Sequence, residues 1–141
     1  RIAGEQSGFG ARNRRWGVPF FDRGTYRLPT ILGMGNALWL METGIRINAR
    51  RAQEVRLAQE VVPPDEALGR ALTLAKEMAA YPQTSLRADR KAVLSSCGRT
   101  LSQGLAAEME ICRAAVDQDD MRQRLAEFAR GSRPASPRPA G

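Results

Sequence analysis

The stretch RRWGVPFFDRGTYRLP, Arg14–Pro29, decides how this chain is read. It holds Gly17 and Gly24, Pro19 and Pro29, four arginines, the aromatics Trp16, Phe20, Phe21 and Tyr26, and one carboxylate, Asp22. Its apolar residues follow neither the helical i, i+3, i+4 spacing nor the alternation of a strand. It therefore reads as a loop. Two uses fit that composition. One is a connector, ordered by packing of its aromatics, with Asp22 bonded to its own backbone as turn aspartates are. The other is the rim of a site, where glycines let a ligand approach the backbone closely. The residues alone leave both open.

Outward from this loop the chain changes character. Residues 1–29 are glycine-rich and irregular, with one short strand at RIAGE. PTILGMGNALWLMETG reads as a helix with Leu38 and Met41 on one face and Gly44 as its left-handed stop. IRI is a short extended piece. Asn48 is placed to cap the helix ARRAQEVR. LAQEVVPP reads as a strand broken by Pro63 and Pro64. From Asp65 the period is helical: Leu68, Ala71, Leu72, Ala75, Met78 and Ala79 share a face. Tyr81-Pro82 ends that helix. Further helices are expected over 85–97, 100–116 and 118–129. Leu101, Leu105, Met109, Cys112 and Val116 line the second of these, and Met121, Leu125 and Phe128 point inward from the third. GSRPASPRPAG reads as a disordered tail. The expected division is 1–63 as a loop-rich core, 64–130 as a helical region and 131–141 as the tail.

The bulk composition narrows the function. A chain of 141 residues is one domain's worth. No run approaches the ~18 apolar residues of a membrane helix. The formal charge is +7, and of 22 basic residues two are lysines, Lys76 and Lys91. Arginine forks suit phosphate groups, but the arginines are scattered, and no recognition helix or stacking platform stands out. A nucleic-acid partner is not expected. Histidine is absent, which removes His-based triads and the usual zinc sites, so no metal is expected. Cys97 and Cys112 read as free thiols of a cytoplasmic protein. Arg1, followed at once by a strand, suggests a chain that begins within a larger protein.

In order, RIA, Phe9-Gly10, GVPFFDRGTYRLP, Thr43-Gly44 with Ile47, Ala49 and Ala52, LAQEVVP, Leu74-Ala75 and DRKAV at Asp89–Val93 resemble the enoyl-CoA hydratase/isomerase, or crotonase, superfamily. The resemblance spans about residues 1–130 and is closest to a branch reading NRRWGVP…D-G-GT. It implies an α/β fold: the C-terminal portion of a crotonase-like spiral of ββα units, followed by a helical C-terminal region. Periodicity alone gives a mainly helical segment with one or two short strands.

The resemblance also implies an activity, enolate chemistry on an acyl-CoA thioester such as hydration of a 2-enoyl-CoA. Coenzyme A would be part of the substrate, with no separate cofactor. In the family two backbone N–H groups hold the thioester oxygen, and two carboxylates handle water and its proton. The stretches carrying those N–H groups and the first glutamate lie upstream of RIA in the family. The second glutamate falls at Asn13 here, and an amide orients water but takes no proton at neutral pH. Asp22 is the carboxylate left in the loop, with Glu5 and Glu42 the nearest others in sequence. The implied catalytic residues are therefore Asp22 and Asn13. Gly17, Val18, Pro19 and Gly24 would bind substrate, with Thr25 and Arg27 tying the loop back by hydrogen bonds. Arg12, Arg14 and Arg15 would face CoA phosphates or a neighbouring subunit. The helical region implies a homo-oligomer, a trimer or hexamer. The competing reading is a degenerate, non-catalytic interaction module, which the Asn13 departure favours.

Overall fold

The computed structural model describes residues 1–116 and 119–131. Gln118, where the last helix was expected to begin, and the expected tail from Ser132 onward lie outside them. The chain divides into two compact units, Arg1–Leu74 and Ala75–Gly141. The division falls inside a helix rather than at the expected Pro63–Pro64 break.

In the first unit, β1 (Ile2–Gly4) pairs in parallel with β4 (Glu60–Val62), Ala3 opposite Val61. β2 (Gly8–Phe9) pairs antiparallel with β3 (Ile47–Asn48). A 3-10 turn, Arg12–Trp16, leads to α1 (Gly24–Leu32), α2 (Met34–Thr43) and α3 (Ala49–Glu54). The core is small and alanine-rich. Ala3, Ala11, Ala49, Ala52 and Ala58 fill it around Leu32, Leu40, Ile47 and Val55. Small side chains let short helices and two-residue strands approach closely, at the cost of apolar area per residue.

Several expected features are present. Gly44 stops α2 at φ 59°, in the left-handed region. The Asn48 side-chain oxygen accepts a bond from the Arg51 N–H at 2.8 Å. That satisfies one of the donors a helix N-terminus leaves unpaired. Asn48→Ala is therefore expected to lower stability by about 1 kcal/mol, read as a shift of the urea midpoint at unchanged slope. An unmoved midpoint would show the cap to be dispensable. Glu60 on β4 accepts from Arg70 at 2.6 Å with both side chains half-buried, which ties the following helix to the strand.

Three expectations need correction. The segment from Gly24 is helical, with Pro29 inside α1. Its glycine and proline content masked a face made of Leu28, Ile31 and Leu32, spaced i, i+3, i+4. On α2 the buried residues are Ala37 and Leu40, with Met41 partly covered, whereas Leu38 is 42% exposed. Alanine at 37 gives a weak hydropathy signal, so the true face was passed over. The four later helices are α4 (Ala67–Ala79), α5 (Gln83–Ser96), α6 (Leu101–Val116) and α7 (Asp119–Ala129). α5 packs on α6, but no residue of α4, α5 or α6 is buried. Leu68, Leu72, Leu101, Leu105, Met109, Leu125 and Phe128 are exposed. Their periodic faces are real, but among the described residues these side chains stay largely exposed.

Candidate functional site

The loop after the 3-10 turn runs back toward the core and delivers Phe20, Asp22 and Gly24 to one cavity of about 320 Å³. Its apolar wall comes from distant parts of the first unit: Phe9 of β2, Leu28 and Ile31 of α1, Leu40 of α2, and Leu57 after α3. Each belongs to the core or packs against it, so the wall is an extension of the core. The polar groups in the lining are Asp22 and Arg27. An apolar hollow with a few polar side chains is what a small-molecule site requires.

Two glycines of the loop are used differently. At Gly24 an added Cβ would run into the Phe20 ring. The bare Cα is needed because the ring lies across it. Gly17 has nothing within 4 Å of such a Cβ but sits at φ 66°. Its left-handed backbone is one that favours glycine. Its N–H bonds to the Arg14 carbonyl and that of Val18 to the Asn13 carbonyl, closing the 3-10 turn.

The expected order from aromatic packing is mostly absent. Trp16 is 82% exposed and Phe21 80% exposed, and Tyr26 is also exposed. Of the loop aromatics, Phe20 alone packs against the core. Neither Thr25 nor Arg27 makes a side-chain hydrogen bond among the described residues, so they do not tie the loop back.

Asp22 serves the turn and faces the cavity together. Its Oδ1 accepts from the Gly24 N–H at 3.2 Å, while its second oxygen has no partner among the described residues. The turn bond fixes the carboxylate at the head of α1 and leaves one oxygen for a ligand or water. Asn13 sits in the 3-10 turn, half-buried. Asn13, Gly17, Val18 and Pro19 are all outside the cavity lining, so of the expected site residues the structure brings together Asp22 and Gly24. Glu5 lines a separate polar hollow with Asn48, Arg50 and Gln53, and Glu42 is exposed on α2. Arg12, Arg14 and Arg15 are exposed. Sequence reasoning missed Phe9, Leu40 and Leu57 as wall residues. Their separation along the chain gives no local signal, although Phe9 stands in a motif already singled out. Among the described residues no three His, Cys, Asp or Glu side chains gather closely enough to hold a metal ion. No described helix is long and apolar enough to cross a membrane.

Comparison with known proteins adds the following. The sequence model described as "Enoyl-CoA hydratase/isomerase" matches residues 1–135. A probable mitochondrial enoyl-CoA hydratase of Dictyostelium discoideum is 30% identical over 90% of this chain and 46% of its own length. The 2,3-dehydroadipyl-CoA hydratase of Escherichia coli K12 is 31% identical over 90% of this chain and 50% of its own length. The crystal structure of an enoyl-CoA hydratase from Bacillus anthracis superposes with a TM-score of 0.89 at 28% identity, covering 96% of this chain and 52% of that one. The chain thus spans about half the length of these two curated relatives.

Proposed function

The chain belongs to the enoyl-CoA hydratase/isomerase family, and on that premise we propose that it forms one wall of an acyl-CoA site. The chemistry would be that of an enolate on a CoA thioester, with hydration of a 2-enoyl-CoA as the leading reaction. The observation that carries this reading is the cavity that joins Asp22 to walls of Phe9, Phe20, Leu28, Ile31, Leu40 and Leu57.

The proposed division of labour follows from that arrangement. The apolar wall takes the acyl chain out of water. The free oxygen of Asp22 accepts a proton from water as the water oxygen attacks the β-carbon of the enoyl group. Electrons move onto the thioester oxygen, and the enolate then takes that proton back from the Asp22 carboxylic acid at its α-carbon, which restores the carboxylate. The thioester oxygen needs preorganised N–H donors, which we assign to none of the described residues. Asn13, which carries no transferable proton, would orient water or a carbonyl from outside the described lining. Gly17, Val18 and Pro19 would then act by shaping the loop rather than by touching the acyl chain. Coenzyme A enters as part of the substrate, and no separate cofactor is proposed. Placement of the segment specifically in the family's C-terminal half draws no support from the match to residues 1–135.

The test is a calorimetric titration of the chain with a saturated acyl-CoA, together with an assay for turnover of a short 2-enoyl-CoA. Binding and turnover are both expected. Absence of both would end the reading in favour of a non-catalytic interaction module.

We also propose a cytoplasmic homo-oligomer, a trimer or hexamer. The exposed leucines of α4 and α6 support it, since apolar faces of this kind on soluble proteins mark contact surfaces. The chain is expected to self-associate as its concentration rises in light scattering. A clean monomer with a sharp cooperative melt would contradict that.

A further inference from the structure

Asp22 and Phe20 flank the same bare Cα: the carboxylate accepts the Gly24 N–H, and the ring occupies the space a Gly24 side chain would take. A ligand whose reacting carbons sit at Asp22 therefore meets the Phe20 ring close by. Phe20 is also the one loop aromatic committed to the core, since Trp16 and Phe21 are turned to solvent. The cavity, at about 320 Å³, lies near the lower end of the roughly 300–1,000 Å³ range of small-molecule sites.

We propose that Phe20 sets the length of acyl chain that this cavity accepts, limiting it to short chains. The inference rests on the acyl-CoA reading above and goes beyond it by naming the residue that fixes substrate size. The ring is held from two sides. The core packs against the ring, and the bare Gly24 Cα makes room for it. Gly24 is thus a positioning residue for the ring as well as for Asp22. Removing the ring opens volume beside Gly24 without altering the Gly24 N–H to Asp22 bond.

The test is a calorimetric series with butanoyl-, hexanoyl-, octanoyl- and decanoyl-CoA, saturated so that no reaction intervenes, with CoA itself as the reference. For the unaltered chain, affinity should rise about fourfold per methylene up to roughly six carbons and then level off. For Phe20→Ala the rise should continue, so that decanoyl-CoA binds at least about tenfold more tightly than it binds the unaltered chain. Phe20→Leu should fall between the two, and it decides the matter should Phe20→Ala fail to fold by circular dichroism. An identical chain-length profile in all three proteins overturns the proposal while leaving the acyl-CoA reading intact. Acyl-CoAs that bind no better than CoA overturn both.

Discussion

Replacing Asp22 by asparagine is expected, on the proposed hydratase reading, to lower kcat for a 2-enoyl-CoA by about a hundredfold or more. The substitution is nearly isosteric. Its side-chain oxygen can still accept the Gly24 N–H, so the turn at the head of α1 should survive. What is lost is the second oxygen, which has no partner among the described residues and is the group that can take a proton. Loss of kcat with little change in KM and an unchanged melting temperature is the expected pattern. If kcat is nearly unchanged, Asp22 is a turn residue and no more. A drop in melting temperature that parallels the drop in kcat would point the same way.

Leu40→Ala should cost about 3 kcal/mol, within the range for truncating a buried leucine. Leu40 is 3% exposed in a core whose other members are mostly alanine. The neighbours are already small, are carried on separate short elements, and cannot extend to fill the gap. For a unit of this size that loss corresponds to a fall in melting temperature on the order of 12–24 °C. Leu38→Ala is the matched control. At 42% exposed, Leu38 contributes less buried area, and its truncation should cost under about 1 kcal/mol. Paired thermal melts decide the question. Equal effects would contradict a face of α2 that buries Leu40 and leaves Leu38 half-exposed.

Some of this was legible in the amino acids. Gly44 and Asn48 marked the end of one helix and the start of the next because left-handed stops and side-chain caps rest on local chemistry. Pro63 closed β4 for the same reason. The family resemblance likewise rested on ordered local motifs. What stayed hidden depended on contacts between distant residues. The first half of α1, Gly24–Leu28, was read as a loop because Gly24 and Pro29 interrupt the pattern, and the face of Leu28, Ile31 and Leu32 straddles the point where the helix was expected to begin. The cavity joins Phe9, Asp22, Leu40 and Leu57, which no period connects. The faces of α4 and α6 were correctly periodic, yet periodicity does not say whether a face is covered. Among the described residues theirs is largely exposed. Gly17 and Gly24 looked alike in sequence and proved to answer two different demands, backbone handedness at one and space for a ring at the other.

The most direct measurement is a 1H–15N correlation spectrum of the chain titrated with butanoyl-CoA. The expected result is saturable shifts concentrated on the amides of Phe9, Phe20, Asp22, Gly24 and Leu57, with the second unit unmoved. Shifts centred instead on the cavity of about 330 Å³ lined by Ala88, Asp89, Cys112 and Leu125, or no saturable shifts at all, would contradict the assignment of the acyl site to the loop at Asp22.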